Sequence, residues 1–301
     1  MKKNFLSSLD LNLNEMTKIF ELAIKYKNDV TCNESNGKIL GLIFDKASTR
    51  TRVSFQVAMS RLGGSTVDLN PNTSQIGRGE PIKDTARVLS KYCNVLAIRT
   101  YRQSDLNEYA KWSSIPVINA LTDLEHPCQA LADYLTILEE FKSFNKVTLS
   151  YIGDGNNVAN SLILCGALLG INLRIATPKG FEPKPQILTK ALEIYKNSDN
   201  LLITNDIYEA VKGSNVIYTD VWASMGEEDE SDLKANQFKG FTLGTEVLDA
   251  AKKDAIVMHC LPAYRGKEIT NEVFESKSSR IFQQAENRLY AQQALLASIL
   301  N

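Results

Sequence analysis

Short apolar runs rich in branched residues recur along the chain and alternate with longer stretches at helical spacing. The runs at residues 38–44, 65–69, 94–99 and 115–119 form one series. Those at 147–152, 172–176, 201–204, 215–219 and 255–259 form a second. Each has the length and composition of a strand. Between most of them apolar residues return every three or four positions, as at Phe55, Ala58, Met59 and Leu62. This βαβα rhythm predicts an α/β protein whose parallel sheets are covered by helices. Two series predict two domains, each a parallel-rich sheet flanked by helices, with the active site in the cleft between them. The division is expected at 1–142 and 143–285, breaking near residues 141–146 after a helix that starts near His126. Residues 286–301 read as a final helix with Leu289, Leu295, Leu296 and Ile299 on its apolar side, packing back on the first domain. There is no internal repeat and no low-complexity segment.

The length of 301 residues agrees with this division, because single cores rarely grow beyond about 250 residues. A net charge of -1 gives no reason to expect nucleic acid or another polyanion as a partner. No apolar run approaches the ~18 residues of a membrane span. The start, Met1-Lys2-Lys3-Asn4-Phe5, lacks the apolar core of a secretory signal. The cysteines at 32, 93, 128, 165 and 260 are odd in number, widely spaced and without a CxxC pair. They suggest neither a zinc site nor a disulfide scaffold, and a reducing cytoplasm is the expected compartment.

In open parallel sheets ligands bind beyond the carboxyl ends of the strands. Five polar clusters fall there: Ser48 to Arg52, Arg99, His126 to Gln129, Asp220 to Gly226, and His259 to Pro262. Ser48-Thr49-Arg50-Thr51-Arg52 follows a strand and opens a helix, with Ser48 as its N-cap. Free backbone N–H groups, two hydroxyls and two arginines within one turn suit a phosphate. A capped helix with a solvated basic face explains these residues about as well. Taken alone, Arg99 reads more readily as a surface arginine closing a strand. The only two histidines sit in compact motifs, Glu125-His126-Pro127-Cys128-Gln129 and Met258-His259-Cys260-Leu261-Pro262. Pro127 suits a first helical turn, which leaves His126 at the cap and Gln129 one turn in, both facing a ligand. His126 has the chemistry to donate to an oxyanion or move a proton. His259 reads as a satisfied, buried strand-end residue, whereas the Cys260 thiol lies where a ligand would sit. The two histidines are far apart and lack carboxylates at ligand spacing, which argues against a metal. No histidine–carboxylate pair is visible to make Cys260 a covalent nucleophile. A rival reading is a nucleotide-binding loop at Gly153-Asp154-Gly155-Asn156-Asn157-Val158. That loop lacks the third glycine and the acidic residue after the next strand.

Taken together, Ser48-Thr49-Arg50-Thr51-Arg52, His126-Pro127-Cys128-Gln129 and His259-Cys260-Leu261-Pro262 resemble the aspartate/ornithine carbamoyltransferase family. The likeness runs in order almost end to end. Gly153-Asp154-Gly155-Asn156-Asn157 and Asp220-Val221-Trp222-Ala223-Ser224-Met225-Gly226 resemble the ornithine members. The resemblance implies carbamoyl transfer from carbamoyl phosphate to the δ-amine of L-ornithine, giving L-citrulline and phosphate, by default in arginine biosynthesis. It makes 1–142 the carbamoyl phosphate domain and 143–285 the ornithine domain. It assigns carbamoyl phosphate to Ser48, Thr49, Arg50, Thr51, Gln75, Arg99, His126, Pro127, Cys128, Gln129, Cys260, Leu261 and Arg288. Ornithine falls to Asn157, Asp220, Ser224 and Met225, and the chemistry to Arg99, His126, Cys260 and Thr51. The resemblance further implies no cofactor, no metal and a homotrimer in which the Gln75 loop reaches a neighbouring site. The segment Ser224-Met225-Gly226, followed by Glu227-Glu228-Asp229-Glu230, is expected to form a closing lid. The alternatives are a carbamoyltransferase for aspartate, putrescine or N-acetylornithine, then a nucleotide-binding protein, then an inactive scaffold.

Overall fold

The computed structural model describes residues 3–28, 33–46, 48–70, 79–195, 197–222 and 231–301. The chain divides into two compact units, residues 1–132 with 287–301, and residues 133–286.

In the first unit, α1 (Leu13–Asn28) is followed by β1 (Ile39–Phe44), α2 (Arg50–Arg61), β2 (Ser65–Leu69), α3 (Ile82–Tyr92), β3 (Val95–Arg99), α4 (Gln103–Trp112) and β4 (Val117–Leu121). The sheet is wholly parallel with order β2-β1-β3-β4. The sequence of β1, Ile-Leu-Gly-Leu-Ile-Phe, does not alternate, because both faces of a parallel strand are covered. On α1, Met16, Ile19, Phe20, Ala23 and Tyr26 are buried at helical spacing. Each of its larger apolar side chains contributes on the order of 1.5–3 kcal/mol by leaving water. The helix α2 ends where Gly63 takes a φ of 82°, a conformation that costs glycine little. Strand β4 starts after Pro116, which has no N–H to give a ladder. Its register with β3 shifts between Ile98 and Arg99, an irregularity of the kind that re-aims a side chain.

The helix α5 (Pro127–Phe141) leads to the second series: β5 (Thr148–Ile152), α6 (Asn157–Leu169), β6 (Asn172–Ala176), α7 (Pro185–Ile194), β7 (Leu201–Thr204), α8 (Ile207–Val211), β8 (Val216–Thr219), α9 (Ser231–Gln237), α10 (Thr245–Asp249), β9 (Ile256–His259), α11 (Asn271–Phe274) and α12 (Ile281–Leu300). The second sheet is also parallel, with order β7-β6-β5-β8-β9. The final helix begins at Ile281 rather than at 286. Gln283 and Gln284 interrupt the apolar pattern there, and the sequence hides that Gln284 is fully buried with its amide bonded. Among the described residues no helix is long and apolar enough to cross a membrane.

Both strand orders reverse direction at one point, between β1 and β3 in the first sheet and between β5 and β8 in the second. The loops leaving such neighbouring strands diverge to opposite faces and open a crevice at their carboxyl ends. Ser48 to Thr51 follow β1 and Arg99 ends β3, whereas Asn156 follows β5 and Asp220 follows β8.

Candidate active site

In the first unit the helix α2 opens with Ser48 Oγ accepting the Thr51 N–H at 3.2 Å. The helix starts at Arg50, and Thr49, the residue before it, makes no side-chain cap bond. Ser48 therefore satisfies a donor of the first turn from one residue further out. Thr49 and Arg50 are exposed, and Thr51 is buried. Two guanidinium groups converge on the Thr51 hydroxyl. Arg288 donates from Nη2 at 2.8 Å and Arg99 from Nη1 at 3.5 Å. Arg288 also donates to Gln129 Oε1. Arg99, Arg288, His126 and Gln129 are all at least nine-tenths buried. Two like charges turned to one neutral oxygen repel each other, and a dianion beside them would relieve that repulsion.

His126 caps α5, its carbonyl accepting the N–H groups of Gln129 and Ala130. Burial, reinforced by Arg288 and Arg99, holds its imidazole well below the usual histidine range. His126 is thus a neutral N–H donor at neutral pH, not an imidazolium. Pro127 is the first residue of α5. Cys128 turns away, its thiol donating to the Asn119 carbonyl at 3.3 Å, and burial pushes it up to about 12.

In the second unit Asp220 is buried and both of its carboxylate oxygens accept hydrogen bonds. Asn156 Nδ2 donates to Oδ2 at 2.9 Å, and Cys260 Sγ and the Val221 N–H donate to Oδ1 at 2.9 and 2.8 Å. Burial and the Asp220 charge push the Cys260 thiol well above its ordinary value, so it carries its proton. That agrees with its role as a donor and excludes a resting thiolate. Asn156 also caps α6, its Oδ1 accepting from Val158 and Ala159. Asn157 occupies the first turn of that helix, where the free N–H groups and the dipole favour an anion. Gly155 packs against residues 181–183: a Cβ there would lie 2.3 Å from Pro183 N. The close approach that a nucleotide loop reserves for a pyrophosphate is taken by the chain's own backbone.

His259 is buried and both ring nitrogens are engaged. Nδ1 accepts the Leu261 N–H at 2.9 Å, so Nε2 carries the proton, donated to Glu268 at 3.1 Å. Leu261 has a φ of 59°, and its peptide bond to Pro262 is cis. The sequence showed no carboxylate at ligand spacing from either histidine, and the fold brings two near His259 from elsewhere in the chain. Glu268 pairs with His259, and Asp220, His259 and Cys260 bring donor atoms within 4.8 Å of one another. It is the one such cluster among the described residues, and each of its groups is already committed to a protein partner.

Gln75, Ser224, Met225 and the rest of the suggested lid lie outside the described residues. Of the other candidates, Thr51, Arg99, His126, Gln129 and Arg288 gather in the first unit, and Asn157, Asp220, Cys260 and Leu261 in the second. Sequence reasoning missed Asn156. Its signal was its place just before a helical run, where an asparagine caps. It also missed the buried set in which Gln284 Nε2 donates to Asp133 and Tyr218, and Tyr218 to Asp133. These residues are distant in sequence and share no pattern.

The first unit thus holds a basic cradle for a small anion beside a neutral imidazole, and the second unit a buried acid–thiol pair. The family models agree. Residues 3–139 match the carbamoyl-P binding domain of aspartate/ornithine carbamoyltransferase and residues 145–299 match its Asp/Orn binding domain. The ornithine carbamoyltransferase of Prochlorococcus marinus (strain MIT 9312) is 68% identical over 298 residues, covering 99% of this chain and 97% of that one. The solved ornithine carbamoyltransferase of Pyrococcus furiosus superposes with a TM-score of 0.94 at 44% identity, covering 98% of this chain and 96% of that one. The anabolic enzyme of Campylobacter jejuni gives 0.93 at 39% identity, covering 99% of each chain. The chain belongs to the aspartate/ornithine carbamoyltransferase family.

Proposed function

We propose that this protein transfers the carbamoyl group of carbamoyl phosphate to the δ-amine of L-ornithine, releasing L-citrulline and phosphate. The observation that carries the reading is the convergence of Arg99, Arg288, neutral His126 and Gln129 around Thr51 at the start of α2. The α2 start, with Ser48, Thr49, Arg50 and Thr51, holds the phosphate, and Gln75 joins it from a neighbouring subunit. Arg99, Thr51 and His126 donate to the carbonyl oxygen as it gains charge. One lost donor of this kind costs ~10²–10³ in rate. His126 suits the task because a neutral imidazole donates without being titrated near pH 7. Gln129, Cys260 and Leu261 hold the carbamoyl amide, with Pro127 and Cys128 shaping the turn behind it.

Ornithine lies on Asp220, Ser224 and Met225 by its α-amine side, with its carboxylate at Asn157. Its amine must be neutral to attack, although amines of this kind have a reference pKa of about 10.4. Desolvation beside cationic groups lowers that value. Cys260, its own proton held by Asp220, keeps lone pairs to accept a weak hydrogen bond from the amine. The amine nitrogen bonds to the carbamoyl carbon, the bond from that carbon to the phosphate oxygen breaks, and phosphate leaves with the electron pair and accepts the amine's proton. No metal or cofactor enters these steps.

Ornithine is preferred over aspartate, putrescine or N-acetylornithine on the names of the relatives and on the segment that follows β8. A homotrimer fits Val53 and Val57, one turn apart on α2, and Val67 on the edge strand β2, all exposed on the single chain. A cytoplasmic, arginine-synthesising role fits the composition and the anabolic Campylobacter relative. The test is steady-state citrulline formation with ornithine beside N-carbamoyl product formation from each rival amine, for the wild type and Arg50→Gly. Turnover with ornithine alone, lost in the variant, is expected. Turnover with aspartate only, or full activity in Arg50→Gly, overturns the reading.

A further inference from the structure

Glu125, the residue before His126, is a carboxylate at 2% exposure that the chemistry above does not use. Its two oxygens are taken up by the chain's beginning. Ser7 Oγ donates to Oε1 at 2.5 Å and the Ser8 N–H to Oε2 at 2.9 Å. Ser7 is itself held in a capping box with Asp10, at the start of the short 3-10 helix Ser8–Asp10. The residues just before it are strapped along the outer edge of β4. Phe5 exchanges backbone bonds with Val117 and Asn119, and the Leu6 carbonyl accepts from Asn119 Nδ2 at 2.9 Å. The turn carrying Glu125 is closed locally, the Thr122 N–H donating to the Glu125 carbonyl at 2.9 Å. A buried carboxylate persists only if its charge is answered by hydrogen bonds. Two donors from one short segment therefore fix both the carboxylate and the segment.

We propose that Glu125 is a positioning residue for His126 and that residues 4–10 act through it as a strap that sets the imidazole in the first unit's anion site. The reason is geometric. Glu125 and His126 are consecutive, and the His126 carbonyl caps α5, so the backbone that carries the ring runs from the Glu125 turn straight into the helix. The front of the 122–125 turn is held by the segment after β3, Asp123 N–H donating to the Tyr101 carbonyl and Thr122 Oγ1 to Gln103, and the Ser7–Glu125 clamp adds a constraint at the residue next to His126. A ring that donates to a developing oxyanion must be placed to within a fraction of an ångström, and a displacement of ~1 Å costs up to ~10²-fold. The proposal rests on the carbamoyl-transfer reading for its kinetic consequence but not for its structural one.

The test compares Glu125→Ala, Glu125→Gln and Ser7→Ala in the full chain. The glutamine keeps an acceptor for the Ser8 N–H and a polar group for Ser7. The chain has only two histidines, so ring ¹⁵N–¹H correlation spectra report His126 with His259 as an internal control. The Glu125→Ala and Ser7→Ala variants should shift or broaden the His126 signals and leave His259 unmoved, with Glu125→Gln restoring most of the wild-type spectrum. In parallel, kcat should fall roughly tenfold to a hundredfold in Glu125→Ala, with a smaller change in the KM for ornithine and recovery in Glu125→Gln. A merely structural role would move both histidines together. That result, or unchanged His126 signals in both Glu125→Ala and Ser7→Ala, overturns the proposal. If Glu125→Ala does not fold, Ser7→Ala, which removes one hydroxyl, decides alone. Movement of the His126 signal supports the strap even if no amine is carbamoylated, so failure of the proposed activity is distinguishable from failure of this one.

Discussion

Asn156 carries two separable tasks, and their separation makes a quantitative prediction. Its Oδ1 caps α6 and its Nδ2 donates to the buried Asp220. Removing an N-cap costs about 1 kcal/mol. Removing a hydrogen bond to a buried charged group costs about 2 kcal/mol. Asn156→Ala should therefore destabilise the protein by about 3 kcal/mol. Asn156→Ser keeps a capping oxygen and loses only the Asp220 bond, so it should cost about 2 kcal/mol. Asn156→Asp keeps the cap but sets a carboxylate against Asp220, which repels and raises a carboxyl pKa. Its deficit should shrink as pH falls and one of the two carboxyls takes a proton. The assay is urea unfolding, with midpoints compared at constant slope, beside the KM for ornithine. Both Ala and Ser should raise that KM, since Asp220 loses the partner that orients it. A serine variant matching the wild type in both midpoint and KM would refute the assignment of Asn156 as the residue that orients Asp220.

His126 is held neutral when folded but takes a proton near pH 6.5 when unfolded, so the unfolded chain binds more protons below that pH. Stability should fall as pH drops below about 6.5, by up to ~1.4 kcal/mol per unit relative to His126→Gln, measured by unfolding midpoints from pH 8 to 5. A difference between the two proteins that stays flat across this range contradicts the depressed value. The Cys260 thiol, raised by burial and by Asp220, should alkylate with iodoacetamide at pH 8 at least about tenfold more slowly than a free cysteine of pKa ~8.5. The readout is mass spectrometry of its peptide, and a rate equal to that of free cysteine would show a thiolate instead.

Much of the fold was legible because a parallel α/β chain writes its plan locally. All nine apolar runs are strands, with ends within about two residues of those read from the pattern. The final helix was read short because Gln283 and Gln284 look solvent-facing and only burial shows otherwise. At the site, the phosphate cradle was legible as a set of donors at a helix start, but its partners were not. Thr51 receives Arg288 from a residue 237 positions away, and no local rule links them. His259 was legible as a buried strand-end residue, but its partner Glu268 was hidden by an irregular loop.

By itself the sequence determined the class, the strands and the places where chemistry could gather. Periodicity fixes which face of each element is apolar, and strand ends fix where loops open. It also carried the resemblance, because the motifs that name the family are contiguous. Tertiary structure alone decided the protonation and use of these groups. His126 is neutral because burial excludes water and Arg288 and Arg99 lie beside it, and Cys260 keeps its proton because it is buried next to the Asp220 charge, which accepts that proton's hydrogen bond. Asn156 holds Asp220, and Glu125 is spoken for by Ser7 and Ser8. Charge state depends on distance and solvent exclusion in three dimensions, and a linear order of residues contains neither.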